Sequence, residues 1–264
     1  MAETRLVRPW DDPPPAPPAP PAAPPQQTLI WNIVSTAILV AWLSWIMGWV
    51  WGVAAVFGVF VHEFGHLMVI NALGFGPSTI RIIPFLGGAA TIPRAPDTDF
   101  KGIVISLAGP VFGLVAALPF FLASSATGDV HWLGGAFFIG GFNLLNLAPA
   151  PPLDGAKAFG PVLARIHPLL ERVALVGVGA AAVAWTIGQG MYLAALFIGL
   201  SVFASLRTRV LRPHARPLSW TEWAAAFALY LGALALCLGV MIASGAGAGM
   251  AAPLLSFGNL GGHP

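Results

Sequence analysis

From Leu29 onward the chain is a succession of long apolar runs separated by short polar breaks. Seven runs of about 17–25 residues can be marked, long enough for a helix to cross a bilayer. They are Leu29–Val50, Gly52–Leu73, Gly102–Ala123, Trp132–Ala148, Leu169–Ile187, Met191–Leu206 and Trp220–Ala243. The fifth and sixth are separated only by Gly188-Gln189-Gly190. A single helix over both would overrun the membrane, so two spans are expected there.

Charge is scarce enough to exclude whole classes. Lys and Arg total 12 and Asp and Glu 10, or 8% of 264 residues, and mean hydropathy is +0.82. Soluble proteins carry roughly 25% charged residues, and so few charges cannot keep a soluble domain of this size wetted. A soluble enzyme, a disordered chain and a nucleic-acid binder are excluded. The pI near 9.1 rests on a net charge of only +2 and signals no nucleic-acid partner. Cys237, the single cysteine, permits neither an intrachain disulfide nor a cysteine-based zinc site, and reads as a small apolar residue.

With the N-terminus on the cytosolic side and seven spans threaded, every basic residue falls on that side. These are Arg5 and Arg8, then Arg81, Arg94 and Lys101, then Lys157, Arg165 and Arg172, and finally Arg207, Arg209, Arg212 and Arg216. This positive-inside pattern predicts a cytosolic N-terminus, an extracytoplasmic C-terminus and a multi-pass protein of the cell's inner or plasma membrane. The Ala- and Arg-rich, Lys-poor composition points to a bacterial source. Trp49, Trp51, Trp132, Trp220 and Trp223 suit an interfacial belt.

Three regions are expected. Residues 1–28 form a cytosolic tail, 29–243 the transmembrane domain, and 244–264 a flexible extracytoplasmic tail. Nine prolines between Pro13 and Pro25 make a polyproline II-like spacer, or else a docking site for a proline-binding partner. Asp11 and Asp12 argue against a cleaved signal peptide. Between the second and third spans, Thr79–Ile83 and Ala89–Ile92 are β-prone and flank Leu86-Gly87-Gly88. They predict a short hairpin with a glycine turn, apolar enough to lie at the membrane. The expected fold is therefore all-α and polytopic, with about seven transmembrane helices and this membrane-associated β-hairpin. No internal repeat is visible.

The chemistry concentrates in the second span, at Val61-His62-Glu63-Phe64-Gly65-His66. His-Glu-x-x-His on a helix projects two imidazoles from one face, able to share one ion. The Glu stands beside them, free to reach a water without being a ligand. Catalytic zinc takes three protein ligands and keeps one open position. Asp154, in Asn146-Leu147-Ala148-Pro149-Ala150-Pro151-Pro152-Leu153-Asp154-Gly155, is the best third candidate. The prolines break the fourth span, and Gly155 permits a sharp turn that can direct the carboxylate back into the bundle. His131 falls at the opposite face, and His167, His214 and His263 lie in connections or the tail. Asn146 is a candidate donor to an oxyanion or to substrate backbone, with a helix-packing hydrogen bond as its alternative. Asn143, one turn earlier, reads as a packing residue.

His62-Glu63-Phe64-Gly65-His66, followed by Asn146-x-x-Pro149-x-x-x-Leu153-Asp154-Gly155, resembles the site-2 protease family of intramembrane zinc metalloproteases. Ser106-Leu107-Ala108-Gly109-Pro110 resembles a further signature of that family. The likeness runs from the second span to just past Gly155, about half the chain. Ala156 departs from it where many members have a second glycine, and Gly113 where many have Asn. The resemblance implies one Zn2+ held by His62, His66 and Asp154, with Glu63 as catalytic acid/base. It also implies that the hairpin is a membrane-associated element, and no PDZ-like insertion or appended regulatory domain is expected. Peptide bonds of a transmembrane helix are hidden in its own hydrogen bonds, so a membrane-anchored substrate must unwind before cleavage. Gly87, Gly88, Ala89 and Ala90 are candidates to capture the unwound strand by edge addition. The competing reading is a metal or ion transporter using the His/Glu/Asp cluster as a transit site; a non-catalytic membrane scaffold is the third.

Overall fold

A computed structural model describes residues 25–83, 87–90, 92–190, 192–207 and 215–247. The proline-rich N-terminal stretch and the residues after 247 lie outside them, as do His214 and His263. The described chain is a helical assembly: α1 (Pro25–Met47), α2 (Trp49–Ala72), α3 (Asp99–Gly113), α4 (Leu118–Thr127), α5 (His131–Asn146), α6 (Asp154–Ile166), α7 (Pro168–Gly188), α8 (Tyr192–Arg207) and α9 (Trp220–Gly247).

Local chemistry sets the boundaries. Gly48 at φ 92 separates α1 from α2, which places Val50 in the second helix rather than at the end of the first. Thr98 caps α3 by accepting from the Lys101 N–H at 3.2 Å, and Asp99 sits in its positive first turn. Between α3 and α4 the chain tightens into a 3-10 turn, Leu114–Ala117. Pro119 in the first turn of α4 has no N–H to offer the Val115 carbonyl, so the preceding turn cannot continue as regular α-helix. Gly128 at φ 70 ends α4. Pro168 and the His167 side chain, which accepts from the Leu169 N–H at 3.1 Å, begin α7.

Among the described residues, four helical stretches are long and apolar enough to cross a membrane: Trp49–Ala72, Asp99–Thr127, Pro168–Gly188 and Trp220–Gly245. That defines a membrane protein. Within those residues the expected count of seven is not reached by length and apolarity together. The first and sixth expected spans correspond to shorter described apolar stretches, Ile33–Met47 and Ala195–Ala204, and the fourth to the 16-residue α5. α7 and α8 are separate helices broken at Gln189-Gly190, with Gly190 at φ 73, and they pack on one another where Gly179 meets Val202.

Two four-residue strands, β1 (Ile80–Ile83) and β2 (Gly87–Ala90), pair antiparallel, with Ile80 opposite Ala90 and Ile83 opposite Gly87. The expected glycine turn is corrected by this register. Gly87 and Gly88 are ladder residues of β2, and the connection falls on residues 84–86, outside the described set. β2 lies beside α2.

Three apolar clusters hold the helices together. Val50, Ala54, Ala117, Phe120, Ala136 and Ile139 join the Trp49 end of α2 to α4 and α5. Ile70, Phe75 and Ile105 join its Ala72 end to α3. Ile103, Leu107, Leu147, Ala158, Val162, Tyr230 and Cys237 tie α3, α6 and α9 together, and Cys237 is the small buried residue expected. The outer surface is apolar, with Trp45, Leu122, Phe203 and Ile242 all exposed, as a lipid-facing surface requires. Gly65 sets the α2–α3 approach: a Cβ there would lie 2.6 Å from both the Ala108 carbonyl oxygen and the Phe112 Cβ.

Candidate metal centre

His62 and His66 are one turn apart on α2 and are 2% and 7% exposed. Asp154 arrives from a point about ninety residues later, as the first residue of α6. The three side chains converge. His62 Nε2 is 3.0 Å and His66 Nε2 3.1 Å from Asp154 Oδ2, and the two Nε2 atoms are 3.2 Å apart.

The outward-facing nitrogens fix what those three atoms are. His66 Nδ1 lies 2.8 Å from the Ile105 carbonyl oxygen, which can only accept, so Nδ1 carries the hydrogen. His62 Nδ1 lies 2.9 Å from Asn143 Oδ1. The Asn143 amide is oriented by its own Nδ2, which donates to the Ile139 carbonyl at 2.8 Å, so Oδ1 faces the imidazole and His62 also donates from Nδ1. In the neutral rings both Nε2 atoms are then lone-pair acceptors, and Asp154 Oδ2 is a third. Three acceptors 3.0–3.2 Å apart in a buried space repel unless a proton or a metal cation lies among them. Their spacing is close to the ~3.3 Å edge of a tetrahedron with bonds of about 2.0–2.1 Å, the geometry of zinc with nitrogen and oxygen ligands. The donor set fits a zinc ion with one coordination position left open.

The sequence folds this way for reasons visible around the triad. Gly109 of α3 faces both imidazoles; a Cβ there would come 2.6 Å from His66 Cε1 and 2.7 Å from His62 Nε2. Phe142 of α5 closes another side, its ring edge-on to His62 at 5.4 Å. Asp154 is delivered by the turn Leu147–Leu153, bonded internally from Leu153 N–H to Ala150 O at 2.9 Å. Gly155 passes directly against the Leu147 and Ala148 carbonyls, where no side chain fits. α9 anchors the turn and the helix: the Tyr230 hydroxyl donates to the Leu147 carbonyl, its ring stacks on Phe159 at 4.5 Å, and Trp223 Nε1 donates to Val162 O at 2.9 Å.

Glu63 is half-buried, next to His62 on α2, and within electrostatic reach of His66. Asn146, at the end of α5, donates from Nδ2 to the Phe142 carbonyl along its own helix at 3.0 Å. Asn143, read from sequence as packing, is instead the residue that holds His62. His131 pairs with Asp129 at 2.7 Å on an exposed surface, far from the triad in the fold, and His167 caps α7. Among the described residues, His62, His66 and Asp154 are the one group of three His, Cys, Asp or Glu side chains able to share an ion. Sequence also missed α6 as a helix, although its apolar Ala158, Phe159 and Val162 against Lys157 and Arg165 spell an amphipathic face.

The fold and this centre define a membrane protein with a buried His/His/Asp cluster able to hold a metal ion. The chain is similar to a protein of Synechocystis sp. named "Putative zinc metalloprotease", with 28% identity over 164 residues. That stretch covers 59% of this chain and 40% of the relative, so the chain spans well under half the relative's length. The likeness supports a metalloprotease relationship and does not reach the site-2 protease group specifically. No family model and no solved structure matches the chain.

Proposed function

We propose that the protein is an intramembrane zinc metalloprotease that hydrolyses peptide bonds within or near transmembrane segments of membrane-anchored proteins. The observation that supports this best is the convergence of His62 Nε2, His66 Nε2 and Asp154 Oδ2 within a helical, lipid-compatible fold, with Glu63 of the same motif alongside. By helix rise, His62 lies about 15 Å from the Ala72 end of α2, so the site belongs within the apolar layer, in the half nearer that end.

His62, His66 and Asp154 would hold one zinc ion, which when bound supplies Lewis acidity and a water that ionises near neutral pH. Glu63 is the base that accepts the water's proton and then, as acid, delivers it to the leaving amine. Asn146, at the end of α5, remains our candidate donor to the substrate backbone after a change of rotamer. The β2 strand beside α2 is the candidate edge for an unwound substrate segment, through Gly87, Gly88, Ala89 and Ala90. Seven spans with a cytosolic N-terminus in a bacterial inner membrane complete the proposal, because that threading places all 12 basic residues on one side.

The transport alternative needs further coordinating groups along a path. Among the described residues there is a single such group, which favours a fixed catalytic centre. The test is reconstitution of the full chain with single-span substrates, comparing the parent with Glu63→Gln. The parent should cleave and the variant should retain zinc without cleaving. Zinc-dependent ion flux with no peptide product would overturn the proposal.

A further inference from the structure

The amide of Asn143 occupies a closed position behind the metal centre. Asn143 is 0% exposed, deep in α5, and both ends of its amide are used. Nδ2 donates to Ile139 O at 2.8 Å, and Oδ1 accepts from His62 Nδ1 at 2.9 Å. The wall opposite is Gly113 at the end of α3. A Cβ built on Gly113 would lie 2.7 Å from Asn143 Nδ2 and 2.8 Å from its Cγ, so only one side chain fits between the two helices. That side chain must carry an acceptor toward His62, or the imidazole loses its partner in an apolar wall.

We infer that Asn143 is a positioning residue for the metal centre, and that Gly113 and Asn143 form one socket in which a single amide, supplied from either helix, fixes the tautomer and ring plane of His62. This rests on the zinc reading above. With Nδ1–H tied to Asn143, the His62 lone pair is confined to Nε2, the atom that faces Asp154 and His66. Without that tie, the neutral ring is free to carry its proton on Nε2, hydrogen-bonded to Asp154 Oδ2 and unable to ligate. Partners of this kind, behind a ligating histidine, typically contribute 10–100-fold in metal affinity. The Gly113 contact adds a condition that ordinary packing does not impose. Because a Cβ at position 113 would start almost on the Asn143 amide, an asparagine moved to 113 can place its own amide in nearly the same space once residue 143 is cut back.

The experiment measures zinc affinity by chelator competition on the purified full chain in detergent, with thermal unfolding of the metal-free form as a control. Four proteins are compared: the parent, Asn143→Leu, Gly113→Asn, and the double variant Gly113→Asn with Asn143→Gly. Asn143→Leu keeps the branched four-atom outline of the side chain and removes the acceptor, and its affinity should fall 10–100-fold. Gly113→Asn alone forces two side chains into one space and should weaken both affinity and thermal stability. The double variant should recover affinity to within a few-fold of the parent. A role in filling space alone gives the reverse order, with Asn143→Leu near the parent and the double variant impaired; that result would overturn the inference while leaving the zinc centre in place. A parent that binds no zinc removes the zinc reading and this inference with it. If Asn143→Leu does not fold, the double variant still decides: recovery supports the socket and failure to recover zinc overturns it.

Discussion

Gly109 of α3 lies against the ring of His66 with no room for a methyl group: a Cβ would come 2.6 Å from Cε1, and it would meet His62 Nε2 at 2.7 Å as well. The backbone of the third helix is therefore one wall of the metal centre, and the approach of α3 to α2 sets where both imidazoles stand. Gly109→Ala must push the ring pair or part the helices. We expect a loss of stability of about 1–3 kcal/mol, in the range of overpacked cores, together with substoichiometric zinc. Metal analysis of the purified variant checks this; a full equivalent of tightly held zinc would show that the wall is softer than described.

Tyr230 links the last helix to the turn that carries Asp154. Its hydroxyl donates to the Leu147 carbonyl, and removing it leaves that buried acceptor without this donor. Tyr230→Phe should destabilise by about 1–3 kcal/mol and lower zinc affinity more than it changes helix content. Thermal unfolding and chelator competition on the same preparation measure both. Parent-like affinity would mean that Asp154 is held by the Gly155 contact alone.

Asn146 is not hydrogen-bonded into the triad, so its role, if it acts on substrate, must appear in turnover and not in metal binding. Asn146→Ala should keep a full equivalent of zinc and lower kcat about 100-fold, the magnitude typical of a lost oxyanion donor. Unchanged kcat removes it from the reaction.

Strand capture by β2 is separable from the metal centre because Ala90 sits on the ladder opposite Ile80. A proline at 90 removes one backbone donor from the strand. Ala90→Pro should reduce cleavage of helical, membrane-anchored substrates while zinc stoichiometry stays at the parent value. Equal turnover of such substrates by both proteins would rule out the strand as the docking edge.

Much of the centre was legible because its ligands announce themselves by spacing or by isolation. His62 and His66 share a helix face at i and i+4, and Asp154 stands out as the carboxylate that follows a proline-broken helix. Asn143 was not legible, since nothing in an apolar helix distinguishes an asparagine that packs from one that turns an imidazole; only the approach of Gly113 and the Ile139 carbonyl decides it. One helix boundary was blurred by Gly48, and α6 was hidden between two expected spans. A glycine within a nearly continuous apolar run moved one helix boundary, and Pro161 hid an amphipathic helix whose periodicity is otherwise clear. The hairpin register was missed because Gly87 and Gly88 carry a turn-like signal, yet they pair along the strand.

A divalent cation shared by His62, His66 and Asp154 underlies the proposed chemistry, and X-ray absorption at the zinc edge on the purified full chain tests this most directly. We expect one zinc per chain, with two imidazole nitrogens at about 2.0–2.1 Å and the remaining near neighbours oxygen. Asp154→Ala should lose an oxygen neighbour or the ion itself. A metal-free protein that cleaves its substrate, or zinc without an imidazole signature, would contradict the account.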